Sequence, residues 1–429
     1  MTRDFKGLLR YRWFVYLLVA SVYFLVYFHR VSPAVMGLEF AREWSLGGAS
    51  LGILSSLYFY LYAAVQVPAG VLADFFGPKK LIIFSALSMT VGSFVSYIAP
   101  TFAMVAVGRA LIGAGAGFTL VPLAKLLCYW FRKREFATIL GLNGSIGNIG
   151  AILASAPLMS LMILVGWRNV FLYIFVISLP LAIMNIRFVK DRPEEMGFPS
   201  IEHTEVDSIK QTNLRMTLKV GALEWFHNHT FPLLAVMMLL LYGTLMGFEG
   251  LWAGPFLFDV YKMNSTEVGN WLLIMAVSMV IGQAGGGYLS DKVFKGRRKI
   301  IILGGSILYA VNWALLLLVA GSQHLLFLRV LFFTIAITIG VAVVSIIALI
   351  RDLAPREKYG TIMSISNIFP FIGAALFQTL MGGILDKSGP VIENGVRVFP
   401  LKGYLWAFLP CTVAAALCIF LASLIKERR

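Results

Sequence analysis

Residues 70–80 read GVLADFFGPKK, and residues 287–299 read GYLSDKVFKGRRK. Each stretch places glycine, leucine and aspartate at alternate positions, and each ends in a cluster of basic residues. Each also follows a long apolar segment that contains one glutamine, Gln66 in the first copy and Gln283 in the second. A recurrence at an interval of about 220 residues predicts that the chain consists of two related halves, since self-similarity at a fixed period is the sequence signature of repeated structural units.

Further landmarks recur in the same order along the chain. They are Arg109 and Arg329, the stretches FATI (136–139) and YGTI (359–362), and Gly150 and Gly373. So many matches in one order favour duplication over chance.

The amino-acid composition indicates that lipid surrounds much of the chain. The 429 residues are 59% hydrophobic and 13% charged, whereas soluble domains are about 25% charged. A membrane span needs about 20 mostly apolar residues. Twelve segments qualify: 13–38, 50–73, 80–99, 102–128, 136–164, 168–189, 231–258, 266–290, 299–320, 323–350, 359–385 and 403–425. The sequence therefore predicts an all-α membrane protein of twelve transmembrane helices in two pseudo-symmetric six-helix bundles, residues 1–190 and 230–429, joined by a cytoplasmic linker, 191–229.

The placement of charge predicts orientation and excludes some partners. The net charge is +15, and most of the 36 lysines and arginines fall in alternate inter-span segments. Because basic loops stay in the cytoplasm, both termini are predicted to be cytoplasmic. Short basic clusters between apolar runs lack the solvated basic face that nucleic-acid binding needs. The three cysteines have no ligand-type spacing, so neither a disulfide framework nor a metal site nor a cofactor is expected.

These landmarks resemble the major facilitator superfamily over essentially the whole chain. Residues 70–80 resemble the signature loop of that family, and the weaker copy follows the eighth span. The fourth span carries Arg109-x-x-x-Gly113-x-Gly115-x-Gly117, which is similar to the fourth-helix motif of the family. The signature differs at Phe75, where the family usually has arginine. The resemblance implies alternating access by a monomer in a lipid bilayer, and a bacterial inner membrane.

A narrower resemblance concerns the first span. Residues 26–30 read VYFHR and resemble the Asn-Tyr-Leu-Asp-Arg segment of organic anion:proton symporters that carry sugar acids. The segments 130–135 and 250–256 also look like the sugar-phosphate and organic-anion group. The resemblance implies that Arg30 binds the substrate anion and that His29 occupies a proton-coupling position.

Charges inside the predicted spans are few, and each costs at least ~2.5–3.5 kcal/mol at a helix centre. The guanidinium of Arg30 suits a carboxylate or a phosphate, although a structural arginine is the alternative. The repeat places Glu249 opposite His29 and Arg30. A carboxylate there would repel a dianionic phosphate, so it favours a monovalent anion, a zwitterion, or proton coupling through Glu249. His29 is the other candidate for proton coupling. A static ion pair stays an alternative. Lys125 either contacts the substrate or extends to the membrane interface.

Polar and aromatic residues at helical spacing predict a cavity lining. Tyr58, Tyr62 and Gln66 share one helix face, and Tyr27 lies one turn from Arg30. The expected substrate-binding set is Arg30, Tyr27, Tyr58, Tyr62, Gln66, Lys125, Gln283 and Asn367. A second set is expected to latch one conformation: Gly70, Asp74, Gly77, Lys79, Asp291 and Arg297.

The favoured function is secondary transport of a small organic anion, a monocarboxylate or a sugar acid, coupled to protons. The alternative is an exchanger of organic phosphates or other anions without proton coupling. An enzyme would need convergent catalytic groups at one depth, and the sequence offers none. A primary pump is excluded, because it would need a phosphate-binding loop, Gly-x-x-x-x-Gly-Lys-[Ser/Thr], and the sequence contains no such motif. A channel is disfavoured by the repeat, and a receptor of the same fold would look identical.

Overall fold

The computed structural model describes residues 5–198, 222–355, 359–393 and 396–425. The helices of the first half are α1 (Phe5–Val31), α2 (Pro33–Trp44), α3 (Gly48–Phe76), α4 (Pro78–Tyr97), α5 (Phe102–Gly117), α6 (Leu120–Trp130), α7 (Lys133–Leu153) and α8 (Ala156–Phe188), followed by a 3₁₀ turn at Pro193–Met196.

The second half contains α9 (Thr230–Gly247), a π-helix (Phe248–Trp252), α10 (Ala253–Tyr261), α11 (Ser265–Tyr288), a second π-helix (Leu289–Val293), α12 (Arg298–Val319), α13 (Leu325–Leu353), α14 (Tyr359–Ser366), α15 (Phe369–Asp386) and α16 (Leu401–Ser423). Strands β1 (Val391–Glu393) and β2 (Val396–Val398) form an antiparallel hairpin between α15 and α16.

Within these described ranges, eleven helices are long and apolar enough to cross a membrane. The longest, Ala156–Phe188, contains a break at Gly166, whose φ of 78° is not helical. The break separates the predicted spans 136–164 and 168–189, because α7 and the start of α8 together cover the first of them. The helical membrane architecture is confirmed, with one short β-hairpin in addition, and the count of twelve stays a prediction.

The described residues form two compact units that interleave along the chain. Unit 1 contains the described residues of Met1–Arg30, Leu61–Ala151 and Val165–Met216, and unit 2 contains those of Val31–Tyr60, Ile152–Leu164 and Thr217–Arg429. All of α2 and parts of α3, α7 and α8 therefore pack with the second half of the sequence. The division into residues 1–190 and 230–429 rests on the repeat alone, and residues 199–221 of the predicted linker lie outside the described residues.

Glycines set the closest helix contacts inside unit 1. A Cβ added at Gly92 of α4 would lie 2.7 Å from the backbone oxygen of Gly108 on α5. A Cβ at Gly115 would lie 2.8 Å from the oxygen of Ser85, and Ser85 Oγ is 2.6 Å from Thr119 Oγ1. Small residues thus bring the backbones of two helices together, as is usual where lipid supplies no hydrophobic drive for association.

Unit 2 uses the same device at two crossings. A Cβ at Gly286 of α11 would lie 2.7 Å from Val341 Cα on α13, and one at Gly340 would lie 2.7 Å from the oxygen of Met279. At the second crossing, a Cβ at Gly243 of α9 would lie 2.7 Å from the Cα of Gly373 on α15. These crossings fix the helices that carry Glu249 and Gln283.

Candidate functional site

Arg30 lies near the end of α1 and is 4% exposed. Its guanidinium carbon is 4.3 Å from the ring centroid of Tyr27 and 5.5 Å from that of Tyr62. Both distances allow attraction between the cation and the negative faces of the rings. The hydroxyl of Tyr23 lies 3.3 Å from that of Tyr27 and donates to it. The cation therefore lies against an aromatic wall built from α1 and α3.

A second arginine holds the backbone beside this cation. Arg109 of α5 is 2% exposed, and its Nη1 donates to the backbone oxygen of His29 over 2.8 Å. His29 is fully buried, and its Nε2 is 3.4 Å from Ser93 Oγ on α4. Helices α4 and α5 thus fix the position of the residue that precedes Arg30.

Helix α7 approaches the aromatic wall through glycines. A Cβ at Gly147 would lie 2.9 Å from Tyr23 Cε1 and 3.0 Å from Tyr27 Cδ2, and one at Gly150 would lie 3.3 Å from the backbone nitrogen of Phe28. Any larger side chain here would displace the Tyr27 ring that faces Arg30. Helix α7 therefore supports the orientation of that ring.

Two amide side chains of unit 1 are buried with open hydrogen-bonding capacity. Gln66, one turn after Tyr62 on α3, is 1% exposed, and its Oε1 has no hydrogen-bond partner among the described residues. Asn143, one turn before Gly147 on α7, is equally buried, and neither of its side-chain polar atoms has a partner in the described ranges. Buried polar groups usually find partners, so both amides are candidates for contact with a polar solute.

Unit 2 contains a buried carboxyl group on an irregular helix. Glu249 is 4% exposed, and its Oε2 has no hydrogen-bond partner within the described part of the chain. It lies in the π-helix Phe248–Trp252, a conformation that is frequent at functional sites. Gln378 of α15 contacts both ends of this segment. Its Nε2 donates to the backbone oxygen of Met246 over 3.0 Å, and its backbone oxygen accepts from Trp252 Nε1 over 3.0 Å.

The comparison with protein families agrees with this architecture. The sequence model of the Major Facilitator Superfamily matches residues 15–378 and again 234–429. The chain belongs to the Major Facilitator Superfamily.

Two curated relatives show the kind of protein to which this superfamily member is similar. It is 22% identical over 371 residues to the "Probable sulfoacetate transporter SauU" of Cupriavidus necator, covering 86% of this chain and 84% of the relative. It is 22% identical over 403 residues to the "Hexuronate transporter" of Bacillus subtilis, covering 90% and 91%. Both relatives are named as transporters of acidic solutes.

A solved structure supports the fold independently. The bacterial homolog of the human lysosomal transporter Spinster, crystallised in an inward-facing and unoccupied conformation, matches with a TM-score of 0.74. The match covers 96% of each chain at 16% sequence identity. This likeness establishes the major facilitator fold and nothing finer.

The predicted site residues of this major facilitator protein fall in both units. In unit 1, the structure brings Tyr27 and Tyr62 to Arg30, with His29 and Gln66 on the same two helices. Four further predicted residues belong to unit 2: Tyr58, Glu249, Gln283 and Asn367. Tyr58 is fully buried, whereas Gln283 and Asn367 are half-buried. Their roles stay predictions.

Lys125, predicted for the substrate set, makes a backbone contact. Its Nζ donates to the oxygen of Ala73 over 3.0 Å, and it thereby joins α6 to the last turns of α3. The contact lies beside the signature loop, one residue before Asp74. Lys125 therefore has a structural contact, and its contact with the substrate stays a prediction.

The predicted latch of the first half includes a turn that only glycine accommodates easily. Gly77 has φ 83°, a left-handed conformation that costs other residues free energy. The backbone nitrogen of Lys79 donates to Asp191 Oδ1 over 2.7 Å. Asp191, the first residue of the predicted cytoplasmic linker, therefore caps the first turn of α4. Gly70 lies seven residues upstream on α3, and the side chain of Asp74 lies outside the described part.

In the second half, the buried contacts are made by the neighbour of the predicted residue. Arg297 is exposed, whereas Arg298 is 5% exposed. Arg298 Nε donates to Asp352 Oδ2 over 3.2 Å, and Nη1 donates to Ser290 Oγ. The basic cluster RRK offers no local signal for which arginine turns inward. An acidic residue at the end of the tenth span was the available hint. The side chain of Asp291 is outside the described residues.

An ion pair between Arg12 and Glu135, the residue before the fifth predicted span, joins α1 to α7. Arg12 Nη1 lies 2.9 Å from Glu135 Oε2, Nη2 lies 3.2 Å from Oε1, and the backbone nitrogen of Arg132 also donates to Oε2 over 3.0 Å. Burial alone would raise the pKa of Glu135, but these hydrogen bonds and the positive charges outweigh it and lower the pKa below its ordinary value of 4.5. Glu135 therefore stays ionised and aligns α7 with α1.

Proposed function

We propose that this protein is a secondary active transporter that carries a small organic anion, a monocarboxylate or a sugar acid, by proton-coupled symport with alternating access. In this proposal it acts as a monomer in a bacterial inner membrane, with both termini in the cytoplasm. Arg30 binds the anion, and Glu249 or His29 carries the proton.

The observation that carries the proposal is the environment of Arg30. The buried guanidinium of Arg30 lies against two tyrosine rings, and a guanidinium is suited to donate paired N–H bonds to a carboxylate. A sulfoacetate transporter and a hexuronate transporter as relatives support the same class of solute. Gln66 and Asn143 supply further hydrogen bonds suited to hydroxyl groups.

Proton coupling is supported by the buried carboxyl of Glu249. An ionised carboxylate without a partner is costly in a low-dielectric site. When Glu249 takes up a proton, that cost is removed and the carboxyl group gains an O–H donor. A proton on Glu249 would thereby be linked to the conformations that differ in its exposure.

The first test is ligand-dependent thermal stability of the purified protein. Monocarboxylates, sugar acids, sugar phosphates and amino acids are screened against wild type, Arg30→Ala, Arg30→Lys and the control Arg329→Ala, whose arginine is exposed on α13. A ligand at about 100 times its dissociation constant adds ~2.7 kcal/mol to stability. A carboxylate that stabilises wild type and Arg329→Ala, but not Arg30→Ala, supports the proposal. Equal stabilisation of all four proteins by neutral compounds contradicts it.

The second test separates symport from exchange. In proteoliposomes, an imposed pH gradient should drive accumulation of the ligand by wild type. Glu249→Gln should abolish that accumulation while counterflow of ligand persists, because a permanently neutral side chain still permits the loaded cycle. His29→Gln tests the other candidate in the same way. Counterflow without any response of wild type to the pH gradient would favour the anion exchanger.

A further inference from the structure

A carboxylate from the second half of the sequence caps a helix from the first half, inside unit 2. Asp386 ends α15, and its Oδ1 accepts from the backbone nitrogen of Gly48 over 2.6 Å. Its Oδ2 accepts from the nitrogen of Ala49 over 2.8 Å. These N–H groups belong to the first turn of α3, which has no intrahelical acceptor for them. The negative charge also lies at the positive end of the helix dipole.

The two helices continue in contact for two further turns, and we call this contact the outer seam. A Cβ at Gly48 would lie 2.6 Å from the oxygen of Gly382, and a Cβ at Gly52 would lie 2.6 Å from the oxygen of Gln378. One turn on, Ser56 Oγ donates to the oxygen of Ala375 over 2.8 Å. The outer seam thus joins residues 48–56 to residues 375–386, at the end of both helices that the charge pattern places outside the cell.

Asp386 has a second cation within reach. Arg397 of β2 lies with its Nη1 3.7 Å from Asp386 Oδ1, and the side chain of Arg397 is 41% exposed. When the cap is made, the carboxylate has two short N–H bonds and a longer contact to the guanidinium. If α3 moved away, Arg397 would still neutralise the carboxylate, so breaking the cap would not leave an unpaired charge.

We propose that Asp386 is a positioning residue of the transport cycle, whose carboxylate closes the outer seam by capping α3 and releases it when the seam opens. The proposal rests on alternating access in the proposed function but on neither the substrate nor the proton. Transport between two halves requires that contacts joining them be made and broken. A charged cap suits this purpose because water replaces its hydrogen bonds at modest net cost.

The test uses a thiol placed in the seam. Ser56 is fully buried, so Ser56→Cys is shielded from a polar maleimide while the seam is closed. The reporter is built on Cys128→Ser, because Cys128 is the exposed native cysteine, and the protein is held in nanodiscs without ligand. Cys411 and Cys418 are fully buried in α16 and act as an internal measure of unfolding.

We expect Asp386→Ala to label Ser56→Cys about fivefold faster, the factor that corresponds to losing a helix cap. Asp386→Asn should lie between, since it keeps one acceptor oxygen and loses the charge. Glu393→Gln is the matched control, because Glu393 lies on the same hairpin as Arg397, pairs with Lys262 at 3.0 Å and is not among the seam contacts. Its labelling should equal that of the reporter alone.

Faster labelling of the reporter cysteine, without labelling of Cys411 and Cys418, supports the proposed role of Asp386 in the outer seam. A residue that only stabilised the fold would expose all three thiols together, and that result overturns the proposal. Equal rates for the reporter and Asp386→Ala also overturn it. Should Asp386→Ala fail to fold, Asp386→Asn decides by the same criteria. Because no ligand is present, failure of the substrate screen leaves this outcome unaffected.

Discussion

Replacing Gly382 by alanine should force the outer seam apart. The added methyl of Gly382→Ala would meet the backbone carbon of Gly48 at 2.6 Å, its carbonyl oxygen still closer, and Trp252 Cζ2 at 2.9 Å. Ordinary carbon–carbon contacts lie at about 3.5–4.0 Å, so the helices must separate by about 1 Å at this point. Two of these three obstacles are backbone atoms, which cannot swing aside as a flexible side chain could.

The magnitude follows from the cost of overpacking. Inserting a methyl group into a tightly packed contact costs ~1–3 kcal/mol. Since α3 and α15 come from different halves of the sequence, the molecule can relieve the clash by opening the seam. The same free energy then appears as an increase of about 5–150-fold in the open population.

The neighbouring glycine provides the control. A Cβ at Gly383 would meet nothing within 4 Å, so Gly383→Ala adds the same methyl group, to the same helix, one residue away. Both variants gain similar helix propensity, up to ~1 kcal/mol. Maleimide labelling of Ser56→Cys should therefore rise in Gly382→Ala and stay at the parental rate in Gly383→Ala. Thermal unfolding of the two proteins is measured in parallel.

Unchanged labelling together with an unchanged unfolding temperature in Gly382→Ala would refute the inference that these two backbones meet in the ground state. A rise of the same size in both variants would also refute it, because the effect would then be one of helix propensity. A lower unfolding temperature in Gly382→Ala, without additional labelling, would mean that the contact is structural and does not open.

Three other outcomes are expected. Gly150→Ala should raise the dissociation constant of the ligand about tenfold or more in a thermal-shift titration, because its methyl group meets backbone atoms of α1 and a small displacement of binding groups is costly. Gly144→Ala, whose methyl group meets nothing within 4 Å, should leave that dissociation constant unchanged. Glu135→Gln should lower the unfolding temperature at pH 7, and the difference from wild type should shrink only as the pH falls below 4.5. Because the folded-state pKa of Glu135 is lowered, its carboxylate stabilises the fold above the unfolded pKa, and this stabilisation is lost when the carboxylate takes up a proton. A constant difference in unfolding temperature down to pH 3 would count against this prediction. Arg298→Gln should lower the unfolding temperature by several degrees, because it removes the buried guanidinium that pairs with Asp352 and the hydrogen bond between them. Arg297→Gln, at an exposed position, should change the unfolding temperature little in the same scan.

The sequence by itself determined the class of the protein. Hydropathy is a sum over about 20 neighbouring residues, so the spans could be located without knowing which helices touch. The repeated motifs and the few intramembrane charges are equally local. They singled out Arg30, Tyr27 and Glu249, and the resemblance they carried to the major facilitator superfamily is confirmed by the family match.

Only the tertiary structure decided which partners each charge has. The sequence offered Tyr58 and Tyr62 on one helix face, and the fold placed the ring of Tyr62 within 5.5 Å of the Arg30 guanidinium carbon. It turned Arg298 inward and left its neighbour exposed. It also joined Asp386 to a helix start 338 residues away. Hydrogen-bond partners this distant depend on where the helices cross, and that crossing is a property of packing which no local pattern of residues contains.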